Sequence, residues 1–243
     1  MARITRVPEV IPRLDGGAPF PPIERALREP DGLLAAGGDL SVARLVDAYS
    51  RGIFPWFAEG QPILWWSPDP RMVLFVDEFL LSRSLRRRVN SASFDITIDL
   101  AFDDVIRRCA GPRAGQQGTW ITPDMVNAYR ALHRAGYAHS VEAWRDGALV
   151  GGLYGMALGR MFFGESMFTQ VPDASKVALV HLVSMVRAHG VPIIDCQQQT
   201  RHLASLGARP IPRAAFAARL SELIHSSEPG AGWSAGPAPK LEV

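Results

Sequence analysis

Asp195 and Gln197 lie two residues apart in the apolar segment PIIDCQ (192–197), which the sequence predicts to be a short β-strand. Successive side chains of a strand point to opposite faces, so we expect these two to share one face and Cys196 to occupy the other. A carboxylate beside an amide at the end of a strand makes a polar site that can orient a substrate. The alternative is that both groups cap backbone atoms of neighbouring loops.

A second carboxylate, Glu165, stands among apolar residues in FFGESMF (162–168). Burying a charge is costly unless a partner compensates it. The sequence therefore predicts that Glu165 either pairs with an arginine in the core or faces a ligand.

An unusual aromatic segment lies between Gly52 and Arg71 and holds three tryptophans and four prolines. Proline fixes φ and removes a backbone donor, so this segment is predicted to form loops and strand edges with its rings near the surface. The rings form either a small satellite core or a platform on which a nucleobase stacks. Trp56 belongs to this segment, and Trp120 adds another indole just before a predicted helix.

Four arginines fall within six residues on a helix predicted to begin near Ser82, namely Arg83, Arg86, Arg87 and Arg88. The formal net charge is only +2, so the charge of the whole chain does not indicate a nucleic-acid partner. The run itself, with Arg71 among its basic neighbours in sequence, is typical either of phosphate contacts or of a solvated helix face.

Other classes of chemistry lack a signature in the sequence. The six histidines show no metal-ligand spacing, and the two cysteines cannot form a disulfide framework. There is no phosphate-binding loop of the Walker type, no dinucleotide-binding glycine pattern and no nucleophile elbow. We therefore expect no metal and no cofactor. Lacking an apolar run long enough to span a membrane, the chain is expected to be cytoplasmic.

Hydrophobic periodicity predicts the elements that must position these residues, and together they indicate a mixed α/β (α+β) fold. Tyr49 and Tyr129 fall on the apolar faces of two predicted helices. Residues 1–38 are expected to be irregular. Strands are predicted over 71–76, 94–98, a meander across 138–163, and 192–197; helices are predicted over 41–52, from 82, and over 99–111, 122–136, 173–189, 201–207 and 213–225.

Eight runs, in order over about residues 20 to 215, resemble the leucyl/phenylalanyl-tRNA–protein transferases: LREPDGLLAAGGDL, AYSRGIFPWF, PILWWSPDPR, GTWIT, AHSVEAW, GESMF, ASKVAL and IDCQ. The resemblance implies a small N-terminal domain (1–68) and an acetyltransferase-like (GNAT-type) catalytic domain (69–225) whose mixed sheet is flanked by helices. The composition of the tail (226–243) predicts disorder. The implied activity moves leucine or phenylalanine from aminoacyl-tRNA to proteins beginning with Arg or Lys, which marks them for degradation through the N-degron (N-end rule) pathway. A monomer is expected.

The resemblance also implies roles for the polar and aromatic residues. Gln197 would accept a hydrogen bond from the attacking amine while Asp195 polarises or orients that amide; alternatively, a terminal ribose hydroxyl of the tRNA relays the proton and Asp195 only positions groups. Trp56 and Trp120 would hold the 3′-terminal adenosine. Glu165 would hold either the acceptor's cationic residue or the adenosine.

A pocket for the leucyl or phenylalanyl side chain and a tRNA surface complete the implied site. Leu153 and Leu182 stand where the family commonly has Met and Phe, which leaves the Leu-to-Phe preference open. The arginines that would contact the acceptor stem are Arg83, Arg86 and Arg87, and the pocket would be lined by Leu153, Phe162, Met167, Leu182 and Ile194.

Two other hypotheses fit some of these features. An acyl-CoA N-acyltransferase would share the implied fold, but its pyrophosphate-binding loop, (Gln or Arg)-x-x-Gly-x-(Gly or Ala), is missing from the expected strand-to-helix junction. A non-enzymatic RNA-binding module would need only the tryptophans and arginines. A substitution of Asp195 by Ala separates an enzyme, which would lose transfer but keep tRNA binding, from such a module.

Overall fold

The computed structural model describes residues 11–111, 119–225 and 232–241, which form two β-sheets, seven α-helices and two short 3₁₀ helices. The strands are β1 (Arg13–Leu14), β2 (Leu33–Gly37), β3 (Phe54–Pro55), β4 (Leu64–Trp66), β5 (Arg71–Phe75), β6 (Asp95–Ile98), β7 (Ala138–Arg145), β8 (Ala148–Leu158), β9 (Met161–Thr169), β10 (Ile193–Gln197), β11 (Arg209–Ile211) and β12 (Gly236–Pro237). The α-helices are α1 (Val42–Ser50), α2 (Arg83–Asn90), α3 (Phe102–Cys109), α4 (Pro123–Arg134), α5 (Ala174–Ala188), α6 (Arg201–Ser205) and α7 (Arg213–Leu223).

The smaller sheet has the strand order β1-β2-β4-β3 and contains the aromatic segment. Its strand β2 corrects the prediction that residues 1–38 are irregular. The sequence LLAAG does not alternate, because its first three residues are all buried. A short buried strand of this kind has no two-residue periodicity to find. Residues 1–10 lie outside the described part of the chain.

The larger sheet has the order β11-β5-β10-β9-β8-β7-β6-β12. Strands β7, β8 and β9 form the predicted antiparallel meander, and β9 pairs in parallel with β10. The mixed α/β class is therefore confirmed, whereas the GNAT-type architecture stays a prediction. In the parallel pairing Asp195 lies opposite Phe163, so Gln197 at the carboxyl end of β10 comes beside Glu165 in the middle of β9.

Two apolar cores cover the two faces of the larger sheet. One contains buried residues of α1, α3, α4 and α7 together with the smaller sheet. The other lies between the opposite face and α5, with Leu85 of α2 against it. The change of sheet falls between Trp66 and Arg71, yet the first core includes residues from both sides of that point. The domain division at residue 68 accordingly remains a proposal.

Side-chain caps fix the starts of the helices that carry functional side chains. Ser41, Ser82 and Thr122 accept hydrogen bonds from the third residue of α1, α2 and α4, and each helix begins one residue after its predicted start. Helix α3 begins later than the predicted residue 99. Asp99 has φ of 55°, and its carboxylate binds the Ser140 amide and the His139 ring instead of a helix terminus.

The tail prediction was wrong for residues 232–241. Strand β12 pairs antiparallel with β6, and Trp233 stacks on His139. The glycine, proline and alanine content of this segment predicts disorder. The segment is nevertheless ordered, because β6 offers it a free strand edge and the rings of His139 and Phe162 offer a packing surface to Trp233. Residues 226–231 and 242–243 lie outside the described chain. Within the described ranges, no helix has the length and apolar character to cross a membrane.

Candidate active site

Asp195 forms a buried ion pair with Arg71, the first residue of β5. The Arg71 Nε and Nη2 atoms donate to the two carboxylate oxygens at 2.8 and 2.7 Å. The side chains of Arg71 and Asp195 are 1% and 0% exposed. Arg71 also donates to the carbonyl of Gly52 and lies between the rings of Phe54 and Phe216. Arg71 is thus a structural cation in the core and not part of a phosphate-binding surface.

The strand that carries Asp195 does not continue regularly to Gln197. Asp195 pairs with Val73 and Gln197 with Met72, so Cys196 is an extra residue in a β-bulge, and Gln197 has φ of 61°. Simple alternation therefore does not relate the two side chains. The Gln197 backbone N–H donates to Asp195 Oδ1 at 2.9 Å. Asp195 therefore binds a backbone group, as the capping alternative predicted for it, and this bond holds the turn that carries Gln197.

Glu165 occupies a second bulge, on the neighbouring strand. Tyr154 pairs with Ser166 and Gly155 with Gly164, which leaves Glu165 as the unpaired extra residue of β9. A bulge re-aims a side chain and often does so beside an active site. The two bulges on adjacent strands point Glu165 and Gln197 at each other.

A hydrogen-bond network surrounds the Glu165 carboxylate. The hydroxyls of Tyr49 and Tyr129 donate to Oε1 at 2.6 Å and Oε2 at 2.8 Å, and Gln197 Nε2 donates to Oε1 at 2.9 Å. The two tyrosine hydroxyls are also hydrogen-bonded to each other. The amide nitrogen of Gln197 is thus engaged, and no described residue donates a hydrogen bond to its carbonyl oxygen, which can therefore accept one from a substrate. No arginine pairs with Glu165 among the described residues, so the core-arginine alternative is wrong.

The protonation of this network is balanced near neutrality. Burial raises the pKa of Glu165 to about 7, against the opposing effect of the hydrogen bonds from Tyr49 and Tyr129. Burial, together with the charge of Glu165, raises the pKa of both tyrosines well above the usual value, so they remain donors. Two hydroxyl protons point at the ionised carboxylate. A protonated carboxyl would add the third proton that a closed ring of three hydrogen bonds requires.

The predicted stacking residues flank the helices that supply the two tyrosines. Trp56 follows α1, is 37% exposed and packs edge-on against Trp66 at 5.4 Å between ring centroids. Trp66 Nε1 donates to the Trp56 carbonyl, which fixes that backbone. Trp120 is partly buried against the first core, just before α4. Their role in holding an adenosine stays a prediction.

The five predicted pocket residues come together in the core beside α5. Leu153 of β8 pairs with Met167 of β9, and Phe162 of β9 pairs with Ile194 of β10; Leu182 faces them from α5. All but Met167 are buried. They pack as a core cluster, and binding of an aminoacyl side chain there stays a prediction.

The arginine run lies on the solvent-exposed face of α2, which is compatible with both of its interpretations, phosphate contacts and a solvated helix face. Arg83, Arg86 and Arg87 are exposed, whereas Leu85 of the same helix is buried. Arg88 lies 3.8 Å from the Asp173 carboxylate. Arg83, Arg86 and Arg87 have no ion pair within the described part of the chain, so their charge is available to a partner.

The expectation of a metal-free protein remains a prediction. Across residues 11–111, 119–225 and 232–241, no group of three or more His, Cys, Asp or Glu side chains is arranged to hold a metal ion.

Comparison with known proteins identifies the family. Residues 73–221 match the family model for leucyl/phenylalanyl-tRNA protein transferase, and residues 38–69 match the model for its N-terminal domain. The chain belongs to the leucyl/phenylalanyl-tRNA protein transferase family. Tyr129, Glu165, Asp195 and Gln197 fall inside the larger matched range, and Tyr49 lies inside the smaller one.

Curated relatives named leucyl/phenylalanyl-tRNA–protein transferase align along almost their whole length. The protein of Bordetella petrii is 59% identical over 93% of this chain and 92% of its own. That of Chromobacterium violaceum is 57% identical over 92% and 96%, and that of Thiobacillus denitrificans 61% over 85% and 90%.

Among solved structures, L-PGS of Bacillus licheniformis aligns with a TM-score of 0.38 and 12% identity, over 70% of this chain and 57% of its own. A likeness at that level does not assign a fold.

Proposed function

We propose that this chain is an aminoacyltransferase that moves leucine or phenylalanine from aminoacyl-tRNA to the α-amino group of proteins beginning with Arg or Lys. The transfer would mark those proteins for degradation through the N-degron pathway. Family membership with relatives of 55–61% identity supports the reaction class. The observation that carries the mechanism is the Gln197 amide: Glu165 holds its nitrogen, and its oxygen has no hydrogen-bond donor among the described residues.

The reaction itself needs alignment more than activation. The amine nitrogen attacks the carbonyl carbon of the aminoacyl ester, the C–N bond forms and the C–O bond to the ribose breaks. The amine loses one proton and the departing ribose oxygen gains one, so there is no net acceptor. A free α-amino group has a pKa of about 7.7 to 8.0, which leaves part of it neutral near pH 7. Positioning alone lowers such a barrier substantially.

Gln197 is the residue that we place against the nucleophile. Its carbonyl oxygen accepts a hydrogen bond from the amine and so directs the nitrogen lone pair at the ester. An amide is too weak a base to keep the proton, which a terminal ribose hydroxyl can carry to the leaving oxygen. Glu165 is the positioning residue behind Gln197, and Tyr49 and Tyr129 hold Glu165 in turn.

Asp195 acts as a structural anchor in this mechanism. Its carboxylate binds the Gln197 backbone N–H and Arg71, and no bond joins it to the Gln197 side chain among the described residues. Asp195 therefore orients the Gln197 amide indirectly, by holding the backbone turn that carries it. Both oxygens are engaged in the core, which disfavours a role as the base.

The remaining substrate contacts follow the family resemblance. We place the 3′-terminal adenosine at Trp56 and Trp120, because stacking of a single-stranded base is worth about 1–3 kcal/mol. We place the aminoacyl side chain in the apolar cluster beside α5, and the acceptor stem at the exposed arginines of α2. The acetyltransferase-like architecture for residues 69–225, with a small N-terminal domain over 1–68, belongs to the same proposal.

A labelled-transfer assay tests the function. The protein is incubated with [14C]leucyl-tRNA and with one of three peptides that differ only in an N-terminal Arg, Lys or Ala. We expect label on the Arg and Lys peptides and none on the Ala peptide. Acetyl-CoA in place of the charged tRNA should give no product. Absence of label on every peptide, with tRNA still bound, would reject the enzyme in favour of a binding module.

A further inference from the structure

The segment 232–241 returns to the larger sheet after α7 and lies beyond the family-model match, which ends at residue 221. Gly236 and Pro237 pair with Ile98 and Thr97 of β6, and the Ala238 N–H donates to the Ile96 carbonyl at 2.8 Å. The end of this segment and α5 enclose a cavity of about 100 Å³. The segment is thus held by a short strand pair and a few side chains.

Trp233 is the side chain with which this segment covers the sheet. Its ring stacks on His139 at 4.1 Å and 10° between planes, and on Phe162 at 5.6 Å and 24°. The His139 ring is fixed from both sides, since Nδ1 lies 2.7 Å from the Asp99 carboxylate and Nε2 lies 3.2 Å from the Gly136 carbonyl. The indole therefore stacks on an imidazole ring that is fixed in place, and it also contacts Phe162.

The Phe162 ring is packed on two sides, by the backbone of β8 and by Trp233. A Cβ atom at Gly155 would come within 2.5 Å of the Phe162 ring, so the ring already fills the space over β8. With the sheet beneath it and Trp233 against it, the ring has one orientation. Phe162 is also a member of the apolar cluster in which we place the aminoacyl side chain, where it pairs with Ile194.

We propose that Trp233 is a specificity-determining residue: by clamping the Phe162 ring it sets the size of the pocket for the aminoacyl side chain. The inference rests on the proposed function. Removal of the indole frees the outer side of Phe162, which can then tilt away from the cluster and enlarge the pocket. The larger phenylalanyl group gains more from that space than the leucyl group.

The test compares the specificity ratio, kcat/KM for phenylalanyl-tRNA over kcat/KM for leucyl-tRNA, in the parent protein and three variants. Trp233→Ala should raise the ratio at least about fivefold, within the range that small changes of pocket shape produce. Trp233→Phe keeps an aromatic ring against Phe162 and should give a smaller increase. Leu241→Ala is the matched control, because Leu241 packs the same segment onto the same core and has no ring to stack on Phe162.

The outcomes separate this inference from the function on which it rests. If the parent protein transfers neither amino acid, the proposed function fails. If the parent is active but Trp233→Ala and Trp233→Phe keep its ratio, or Leu241→Ala shifts the ratio equally, the role of Trp233 is overturned. Thermal melting shows whether each variant is folded. If Trp233→Ala is unfolded, the specificity ratio of Trp233→Phe decides whether Trp233 has the proposed role.

Discussion

Replacement of Asp195 by Asn should destabilise the protein strongly, although the two side chains have nearly the same size. The substitution removes a carboxylate that receives two charge-assisted hydrogen bonds from Arg71, and it leaves the guanidinium charged in a fully buried position. Breaking one partner of a buried ion pair costs about 3–5 kcal/mol. In a protein of this size about 1 kcal/mol corresponds to roughly 2–4 °C, so the melting temperature should fall by about 6–20 °C.

The chain provides a matched control with the same hydrogen-bond geometry at the surface. Arg209 donates from Nε and Nη2 to both oxygens of Glu78 at 3.0 and 3.1 Å, but both side chains are 50% exposed. Water screens such a pair, so Glu78→Gln should shift the urea midpoint too little to resolve. The double variant Arg71→Met/Asp195→Asn should recover part of the stability lost in Asp195→Asn, because no buried charge remains unpaired.

Urea unfolding at pH 7.5, followed by tryptophan fluorescence, measures these differences. The folded fraction of Asp195→Asn at low temperature should transfer leucine more slowly than the parent and keep both limbs of the pH–rate profile. The acidic limb should move to lower pH, because the charge of Asp195 is one of the causes that raise the pKa of Glu165. The reasoning is refuted if Asp195→Asn is as stable as Glu78→Gln, or if it loses one limb of the pH–rate profile.

Three further results are expected. Tyr49→Phe removes a hydrogen bond that lowers the pKa of Glu165, so that pKa should rise above about 7. The ionised form of Glu165, which holds Gln197, then appears at higher pH, and the acidic limb of the pH–rate profile should move upward. Tyr137, a partly buried tyrosine just after α4, is the control, and Tyr137→Phe should leave the acidic limb in place. Trp56→Ala should weaken binding of aminoacyl-tRNA by about 1–3 kcal/mol, with Trp56→Phe intermediate in a fluorescence titration; equal affinity of all three would exclude stacking. Replacing Arg83, Arg86 and Arg87 by Ala should raise KM for tRNA and reduce the slope of log affinity against log salt by up to about 3, and an unchanged slope would make α2 an ordinary solvated face.

The sequence predicts the elements well where periodicity and caps agree. Helix α4, with Thr122 as cap and Pro123 at its first position, was predicted to within two residues at each end. The meander β7 to β9 was also predicted, but β9 continues to Thr169, six residues beyond the predicted end at residue 163. Strand β2 and the docking of residues 232–241 were not predicted, because neither depends on a local pattern. Each exists because another strand offers a free edge, which is a property of the tertiary fold.

The candidate site was predicted in its acidic and amide residues but not in their partners. Asp195, Gln197 and Glu165 are conspicuous as polar groups in apolar runs. Tyr49 and Tyr129 fit the apolar faces of their helices, so the sequence pattern explains them as core residues and gives their hydroxyls no role. Arg71 likewise resembles the other basic residues near it in sequence. A signal was present in each case: a buried carboxylate requires donors, and a buried tyrosine hydroxyl requires a partner.

The two bulges lie beyond sequence patterns, since one extra residue in β9 and one in β10 appear only when the partner strands are in register. They nevertheless decide the geometry, because without them Glu165 and Gln197 would follow the regular alternation of their strands.

The central claim is that the Gln197 carbonyl oxygen orients the attacking amine. It is tested most directly by single-turnover leucyl transfer to an Arg-initiated peptide at saturating leucyl-tRNA, comparing the parent protein with Gln197→Ala. We expect the rate of transfer to fall about a hundredfold or more while the dissociation constant for leucyl-tRNA stays the same. An unchanged rate, or a loss explained wholly by weaker tRNA binding, would contradict the claim.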